Sequence, residues 1–151
     1  MKGISKRSMW LLAASLLWGI VIFLNSLLPG DASSELSNAV VVRLPGWLSF
    51  LDVDTLTVLV RKSAHVMEYL ILGGLAAAVF DLSGKLSLRN TGNILFPCLF
   101  WAVLDEVLQT FVEGRTGLVR DVAIDFGGIL TGVLLFSLLA WLRRRRFKRQ
   151  G

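Results

Sequence analysis

Two adjacent carboxylates, Asp105 and Glu106, lie inside an otherwise apolar stretch of the sequence, WAVLDEVLQ. A carboxylate such as Glu106 can act as a general base, and the single histidine, His65, can act as an acid or a base near neutral pH. Two cations, Lys62 and Arg115, carry the charge needed to bind phosphate. Together these residues could bind an anionic group or perform acid–base chemistry on it.

Other kinds of reactive site find less support in the sequence. One histidine excludes a phosphatase scheme in which one histidine attacks phosphate and a second donates a proton. No Ser–His–Asp arrangement can be located, and the sequence has no convincing set of zinc ligands. Asp105, Glu106, Asp121 and Asp125 could hold Mg²⁺ or Ca²⁺, because oxygen ligands suit hard cations. The pattern does not assign such an ion, and we predict no metal and no other cofactor.

The chain is too apolar for an ordinary soluble domain. Its 151 residues are 54% hydrophobic and 18% charged, with a mean hydropathy of +0.66, whereas soluble domains average roughly 45–50% apolar residues. Four apolar runs each approach the ~20 residues that cross ~30 Å of hydrocarbon as a helix. We therefore predict an all-α integral membrane protein, a four-helix bundle with spans at residues 10–28, 62–82, 94–112 and 122–142.

The basic residues predict that both termini face the cytoplasm. Of the sixteen Lys and Arg residues, six lie in the tail 143–151, three in the N-terminal segment 1–9 and two in the loop 83–93. Cytoplasmic flanks of membrane spans carry an excess of Lys and Arg, and four spans return the chain to the side where it started. The loops 29–61 and 113–121 are then extracytoplasmic. Because these flanks account for the basic charge, we predict no nucleic-acid partner.

The first extracytoplasmic loop carries signals for further helices. It opens with Pro-Gly-Asp at residues 29–31, which suits a helix start. After a break at Pro45, the aromatic residues Trp47 and Phe50 favour the membrane interface, so we expect an interfacial helix there. Residues 53–61 could then continue as a helix into the second span. The first span is expected to be retained as an anchor and not cleaved as a signal peptide.

The polar residues of three spans fall at similar depths below the predicted outer boundary. A rise of about 1.5 Å per residue places His65 about 4–5 Å, and Glu68 and Asp105 about 9–10 Å, from the outer ends of their spans. Ionisable groups at such depths cost several kcal/mol unless they face the bundle interior or a watery cavity. Spacings of three and four residues also bring them onto shared helix faces. We therefore predict an outward-facing polar pocket formed by Lys62, His65, Glu68, Tyr69, Asp105, Glu106, Gln109, Arg115, Asp121 and Asp125.

A purely structural role is the alternative for several of these residues. His65 with Glu68, and Arg115 with Asp121, could form salt bridges that only fasten helix ends. Lys62 could lie with its methylene stem along lipid and its ammonium at the interface.

Span four also contains two small residues at a spacing of four, Gly128 and Gly132. Small residues let helices approach closely. We expect them to pack within the chain, with a homo-oligomer formed through the same residues as the alternative.

Three blocks of the sequence resemble the VanZ-like family. They are RKSAHVMEYLILG (61–73), DEVLQTFVEGRTG (105–117) and RDVAIDFGGILTG (120–132). Their order and spacing are similar to that family's patterns K-x-x-H-x-x-x-Y, D-E-x-x-Q-x-x-x-x-G-R and D-x-x-x-[N/D]-x-x-G-x-x-x-G. The chain departs from some members at Leu108, where they have histidine, and at Glu113, where they have proline. The resemblance covers about residues 61–142.

The resemblance implies a multi-pass protein of the bacterial cytoplasmic membrane, of a kind that confers low-level resistance to teicoplanin at the cell surface. It supplies no biochemical activity, so three functions stay open. The first, which we prefer, is non-enzymatic: binding or handling of a membrane lipid or an envelope lipid-linked head group, with an effect on glycopeptide susceptibility. The second is an intramembrane enzyme acting on a phospholipid or envelope-lipid head group, with His65 and Glu106 as catalytic candidates. The third is a small oligomeric transporter.

Overall fold

The computed structural model of the chain describes residues 6–46 and 50–148. Within these ranges the protein contains α-helices and a short 3₁₀ turn, Leu88–Asn90, and no strand, which confirms the all-α prediction. The five helices are α1 (Lys6–Ser26), α2 (Gly30–Val41), α3 (Val53–Leu82), α4 (Thr91–Gln109) and α5 (Val119–Lys148).

Four of the helices are long and apolar enough to cross a membrane: α1, α3, α4 with its preceding turn, and α5. Many of their large apolar side chains point outward. Trp10 is 77% exposed, Leu134 67% and Phe100 62%. Apolar surface on this scale is unfavourable in water but is expected where the neighbours are lipid chains. The predicted four-helix membrane architecture is thus confirmed, while the cytoplasmic placement of the termini stays a prediction from the basic flanks.

The central helix of the bundle is α3, which contacts the other four helices and most extensively α5. Glycines make this contact close. Gly132 lies against the backbone carbonyl of Leu70, and Gly128 lies against that of Val66, so a β-carbon at either position would overlap the facing carbonyl. Small residues permit such an approach. These two glycines therefore pack within the chain, and a homo-oligomer through them stays a prediction.

Two helix ends differ from the limits that hydropathy predicts. The helix α4 ends at Gln109, before the predicted limit at residue 112, because residues 110–112 form tight turns whose amides bond to carbonyls three residues back. The helix α5 continues to Lys148, beyond the predicted limit at residue 142, because the arginines that follow the apolar run are good helix formers. The predicted limits follow the apolar residues of the sequence, whereas each helix ends where its backbone hydrogen bonding ends. The two sets of limits therefore need not coincide.

The helix α3 begins well before the second predicted span. The Asp52 carboxylate caps it, with Oδ1 accepting a hydrogen bond from the amide of Thr55 at 2.8 Å. Next to this end, the Thr57 hydroxyl bonds to Asn38 of α2. Residues 53–61 are continuous with the membrane-crossing part of α3, as expected. The interfacial helix expected after Pro45, with Trp47 and Phe50, includes residues 47–49, which lie outside the described residues, and it stays a prediction.

At the opposite end of α3, Asp81 is held by two arginines of α5. Its carboxylate accepts a hydrogen bond from Arg143 Nη2 at 3.0 Å and another from Arg144. The Asp81 side chain is 5% exposed although both arginines reach solvent. The basic tail therefore also fastens α5 to α3, a role that the charge pattern alone does not reveal.

Candidate functional site

A cavity of about 230 Å³ lies between α3, the last turn of α4, the beginning of α5 and the loop that joins these last two helices. Three of the ten side chains predicted for the pocket, Glu68, Tyr69 and Asp105, do not line it. The sequence did not point to two cations on the wall, Arg61 and Arg120. The seven predicted residues that do line it are Lys62, His65, Glu106, Gln109, Arg115, Asp121 and Asp125.

An ion pair between Lys62 and Asp121 joins α3 to α5 at the cavity wall. Asp121 Oδ1 also lies 3.9 Å from Nε of Arg120. In the described part of the chain Asp121 therefore pairs with these two cations and not with Arg115, the partner considered from the sequence. Lys62 is held by a carboxylate and does not simply reach along lipid to the interface.

Arg115 fastens the α4–α5 loop to the end of α1. Its Nε donates a hydrogen bond to the carbonyl of Leu28 at 2.8 Å, and Nη2 donates to the carbonyl of Asn25 at 3.2 Å. Carbonyls at the end of a helix lack helical partners, and the guanidinium satisfies them. Burial, followed by repulsion from Arg61, lowers the pKa of the Arg115 guanidinium. The group stays a cation, because arginine is not deprotonated in proteins.

Glu106 holds the same loop from the α4 side. Its Oε1 accepts a hydrogen bond from the amide of Leu118 at 2.8 Å, and the residue is only 6% exposed. Gly117 lies directly against the Glu106 backbone, where a β-carbon would come within 2.5 Å of the carbonyl oxygen. Gly114 has a φ of 71°, which glycine adopts without a steric penalty. One oxygen of the Glu106 carboxylate is therefore committed to loop structure.

Asp105 belongs to a buried network that faces α1. Its Oδ2 accepts hydrogen bonds from the Ser26 hydroxyl at 2.8 Å and from Gln109 Nε2 at 3.3 Å. The phenol of Tyr69 lies beside the same carboxyl. Both Asp105 and Tyr69 are 0% exposed. Gln109 is the member that also lines the cavity.

Glu68 lies in a second contact with α1. Asn25 Nδ2 donates a hydrogen bond to Glu68 Oε1 at 2.6 Å, and Trp18 Nε1 donates to the Glu68 backbone carbonyl at 2.9 Å. The other carboxylate oxygen, Oε2, lies 3.8 Å from His65 Nδ1. His65 and Glu68 are therefore close neighbours, at a separation longer than a hydrogen bond. Glu68 is held in place from α1.

Two residues of this site, Asn25 and Ser26, come from the first span, which the sequence did not connect with the pocket. The sequence feature that could have indicated them is the pair of polar residues near the end of the apolar run IVIFLNSLL. That run lies outside the three blocks that carry the family resemblance.

A family model, VanZ/LLP1, matches residues 11–140, most of the chain. The chain belongs to the VanZ/LLP1 family. The match begins within α1 and ends within α5, so the VanZ/LLP1 region includes the helix that supplies Asn25 and Ser26. No curated protein and no solved structure matches the chain.

Three side chains of this VanZ/LLP1 protein come together at one point from three different helices. A ring nitrogen of His65 and one carboxylate oxygen each from Asp105 and Asp125 all lie within 4.8 Å of one another. Asp125 is 2% exposed, and it lines the cavity together with His65. The buried network around Asp105 and the cavity therefore meet at this point.

Proposed function

We propose that this VanZ-family membrane protein binds or handles the head group of a membrane lipid or an envelope lipid-linked molecule, and thereby changes susceptibility to teicoplanin. The observation that carries the proposal is a charged cavity at one end of a bundle whose outer surface is apolar. A head group can occupy the cavity while its acyl chains lie along the helices.

Cations on the cavity wall suit an anionic head group. Arg61 and Arg120 lie there together with Lys62. Lys62 is paired with Asp121, whereas Arg61 makes no hydrogen bond or ion pair with another described residue. A guanidinium can form two parallel hydrogen bonds with a phosphate group. Arg61 is therefore the residue that we expect to contribute most to phosphate binding.

The size of the cavity favours a head group over an intact glycopeptide. Its volume of about 230 Å³ is below the roughly 300–1,000 Å³ of pockets that hold drug-sized ligands. An effect on teicoplanin would then be indirect, through an envelope molecule that the protein binds. The basic flanks favour an extracytoplasmic cavity, on the side of the membrane where glycopeptides act.

Catalysis on the same head group is the second candidate. It is favoured by His65 and Glu106, which both line the cavity, because a general base must reach the proton that it removes. Against it, Glu106 already uses one oxygen for the Leu118 amide.

Transport has less support. Below the cavity, Gly128 and Gly132 bring α5 against the backbone of α3, so no path runs between these two helices at that depth. Alternating access would require these two helices to separate.

The proposal is tested in a susceptible bacterial host that expresses wild type, Arg61→Gln or Arg89→Gln at matched membrane levels. Arg89→Gln is the matched control, because it removes the same charge from an exposed residue in the 3₁₀ turn before α4. Inhibitory concentrations of teicoplanin and vancomycin are measured for each strain. Binding of each purified protein to vesicles that contain an anionic phospholipid is measured in parallel.

We expect wild type and Arg89→Gln to protect against teicoplanin, and Arg61→Gln to protect less. Vesicle binding by Arg61→Gln should fall about tenfold, because a hydrogen bond to a charged group contributes roughly 1.5–3 kcal/mol. Equal protection by all three proteins would exclude the cavity as the site of action. Absence of protection by wild type would exclude the effect on glycopeptide susceptibility, and the vesicle measurement would then decide head-group binding by itself.

A further inference from the structure

The point where His65, Asp105 and Asp125 meet has the composition of a metal site. It combines one imidazole with two carboxylates, and their ligand atoms lie within 4.8 Å of one another. We propose that these three residues bind a divalent transition-metal ion, Zn²⁺ by preference, beside the cavity. The proposal goes beyond head-group binding and does not depend on it.

The Asp105 carboxylate has one free oxygen in a fully buried position. Its Oδ2 accepts hydrogen bonds from Ser26 and Gln109, but Oδ1 is buried without a hydrogen-bond partner among the described residues. The neighbouring Tyr69 hydroxyl is likewise buried without a partner, so two polar atoms at this point are unsatisfied. Asp105 is 0% exposed. A buried polar atom without a partner is costly and calls for an explanation. A cation at the meeting point would satisfy Oδ1, while Ser26 and Gln109 hold the carboxylate in orientation.

A carboxylate lies near one ring nitrogen of His65, as it does at many metal-binding histidines. Nδ1 of His65 is buried without a hydrogen-bond partner among the described residues, and Glu68 Oε2 lies 3.8 Å from it, beyond hydrogen-bond distance. The hydrogen bond from Asn25 fixes Glu68 in turn. A carboxylate behind one ring nitrogen orients the ring and raises the basicity of the other nitrogen toward a metal. We therefore assign Nε2 of His65 as the ligand atom and Glu68 as a positioning residue.

The charge at the meeting point is the third observation. Asp105 and Asp125 bring two carboxylates close together, and both residues are buried, with exposed fractions of 0% and 2%. Asp125 makes no hydrogen bond or ion pair with another described residue. Two carboxylates at this separation repel each other unless a proton or a cation lies between them. A divalent ion bound by two carboxylates and a neutral imidazole forms a neutral unit, which suits burial.

The ligand types favour zinc over magnesium or calcium. Magnesium and calcium take oxygen ligands, whereas an imidazole shifts the preference toward transition metals. Zinc binds histidine nitrogen and aspartate oxygen at roughly 2.0–2.2 Å, so ligand atoms in a tetrahedral site lie ~3.4 Å apart. The ligand atoms lie within 4.8 Å of one another, so a tetrahedral site needs them to approach by at most about 1.4 Å. Three protein ligands leave a fourth position for water or for a head-group oxygen.

The metal content of the purified full-length chain tests the proposal. The protein is prepared in detergent through a tag without histidines, stripped with a chelator, incubated with Zn²⁺ alone or with equal Zn²⁺, Mg²⁺ and Ca²⁺, and desalted. Retained zinc is measured by mass spectrometry for wild type, His65→Gln, Asp125→Asn and the control Glu113→Gln. Glu113 is exposed in the α4–α5 loop and is not one of the three ligands. We expect one zinc per chain in wild type and Glu113→Gln, and at least a tenfold lower content in the two ligand variants.

Thermal unfolding in the same detergent separates loss of metal from loss of fold. Added Zn²⁺ should raise the unfolding midpoint of chelator-treated wild type, because a ligand that binds only the folded state stabilises it. It should not raise that of Asp125→Asn. Glu68→Gln should bind zinc about 10–100-fold more weakly, as second-layer changes do at other metal sites.

Three results would overturn the proposal. They are a wild type that neither retains zinc nor gains thermal stability from it, ligand variants that retain as much zinc as wild type, and binding of Mg²⁺ or Ca²⁺ in preference to zinc. None of these measurements uses a lipid or a glycopeptide, so their failure is distinct from failure of the head-group proposal.

Discussion

The Lys62 ammonium and the Asp121 carboxylate form an ion pair that joins α3 to α5 at the cavity wall. The two side chains are 27% and 26% exposed, so water screens the pair only in part. The pair lies beside Arg120 and on the same wall as Arg61. The pair therefore fastens two helices, and it neutralises Lys62, which is then less available to bind an anionic ligand.

Loss of this ion pair should show as coupling between the two residues. A double-mutant cycle measures this coupling. It compares the free energies of unfolding in detergent of wild type, Lys62→Met, Asp121→Asn and the double variant. We expect a coupling of up to about 1 kcal/mol, because partly exposed pairs contribute at that level. Added salt should reduce it. Fully additive effects would show that the pair contributes nothing to the α3–α5 contact.

Glycine positions on α5 should differ sharply in their tolerance of a methyl group. Gly132→Ala places a β-carbon against the backbone carbonyl of Leu70, whereas Gly127→Ala places one where no atom of the described residues lies within 4 Å. We expect Gly132→Ala to lower the free energy of unfolding by roughly 1–3 kcal/mol through overpacking. Gly127→Ala should be neutral or slightly stabilising, because alanine is the better helix former. Unfolding midpoints in detergent check both, and equal midpoints would contradict the close contact of α3 with α5.

Substitutions at Glu106 should separate its structural role from any chemical one. Glutamine keeps an oxygen that can accept the hydrogen bond from the Leu118 amide, which Glu106 Oε1 accepts at 2.8 Å. Alanine leaves that amide without its partner at a cost of about 1–3 kcal/mol. We therefore expect Glu106→Ala to unfold at lower temperature and to be cleaved faster in the α4–α5 loop, while Glu106→Gln resembles wild type in both measurements.

The susceptibility assay adds a second comparison for the same residue. If Glu106→Gln folds normally but no longer protects against teicoplanin, the ionised carboxylate acts in function. If it protects as wild type does, Glu106 only holds the loop.

The cap of α3 predicts a stability difference that disappears in acid. Hydrogen bonds from the amide and then the hydroxyl of Thr55 lower the pKa of Asp52 below its ordinary value of 3.8. A carboxylate whose pKa is lower in the folded state stabilises that state above the ordinary pKa, and this contribution is lost as the pH falls through the lowered value. Wild type should therefore unfold at higher temperature than Asp52→Ala at neutral pH, by a margin that shrinks below about pH 4.

Asp54→Ala is the matched control for that measurement. Asp54 is also exposed and lies in the first turn of α3, but it does not cap the helix. The capping role would be contradicted if wild type unfolded above Asp52→Ala by the same number of degrees at every pH. It would also be contradicted if Asp54→Ala lowered the unfolding temperature as much as Asp52→Ala does.

The sequence by itself determined the helices and half of the residues that line the cavity, because both depend on local patterns. Apolar runs near 20 residues predict spans wherever lipid surrounds a helix. Asp121 and Asp125 are four residues apart and share a helix face, and both line the cavity. The i, i+3 pair of Lys62 and His65 reaches the same wall for the same reason.

Only the tertiary structure decided how the two adjacent carboxylates are used. Neighbouring residues project about 100° apart on a helix, so depth alone cannot say what each one faces. Glu106 faces the α4–α5 loop and the cavity, whereas Asp105 faces Ser26, which lies 79 residues away in the sequence. The helix rotations that produce this division depend on packing between distant segments. The glycine contact of α5 with α3 and the position of α1 exist only in the folded bundle, and for that reason the meeting of His65, Asp105 and Asp125 cannot be found from spacing.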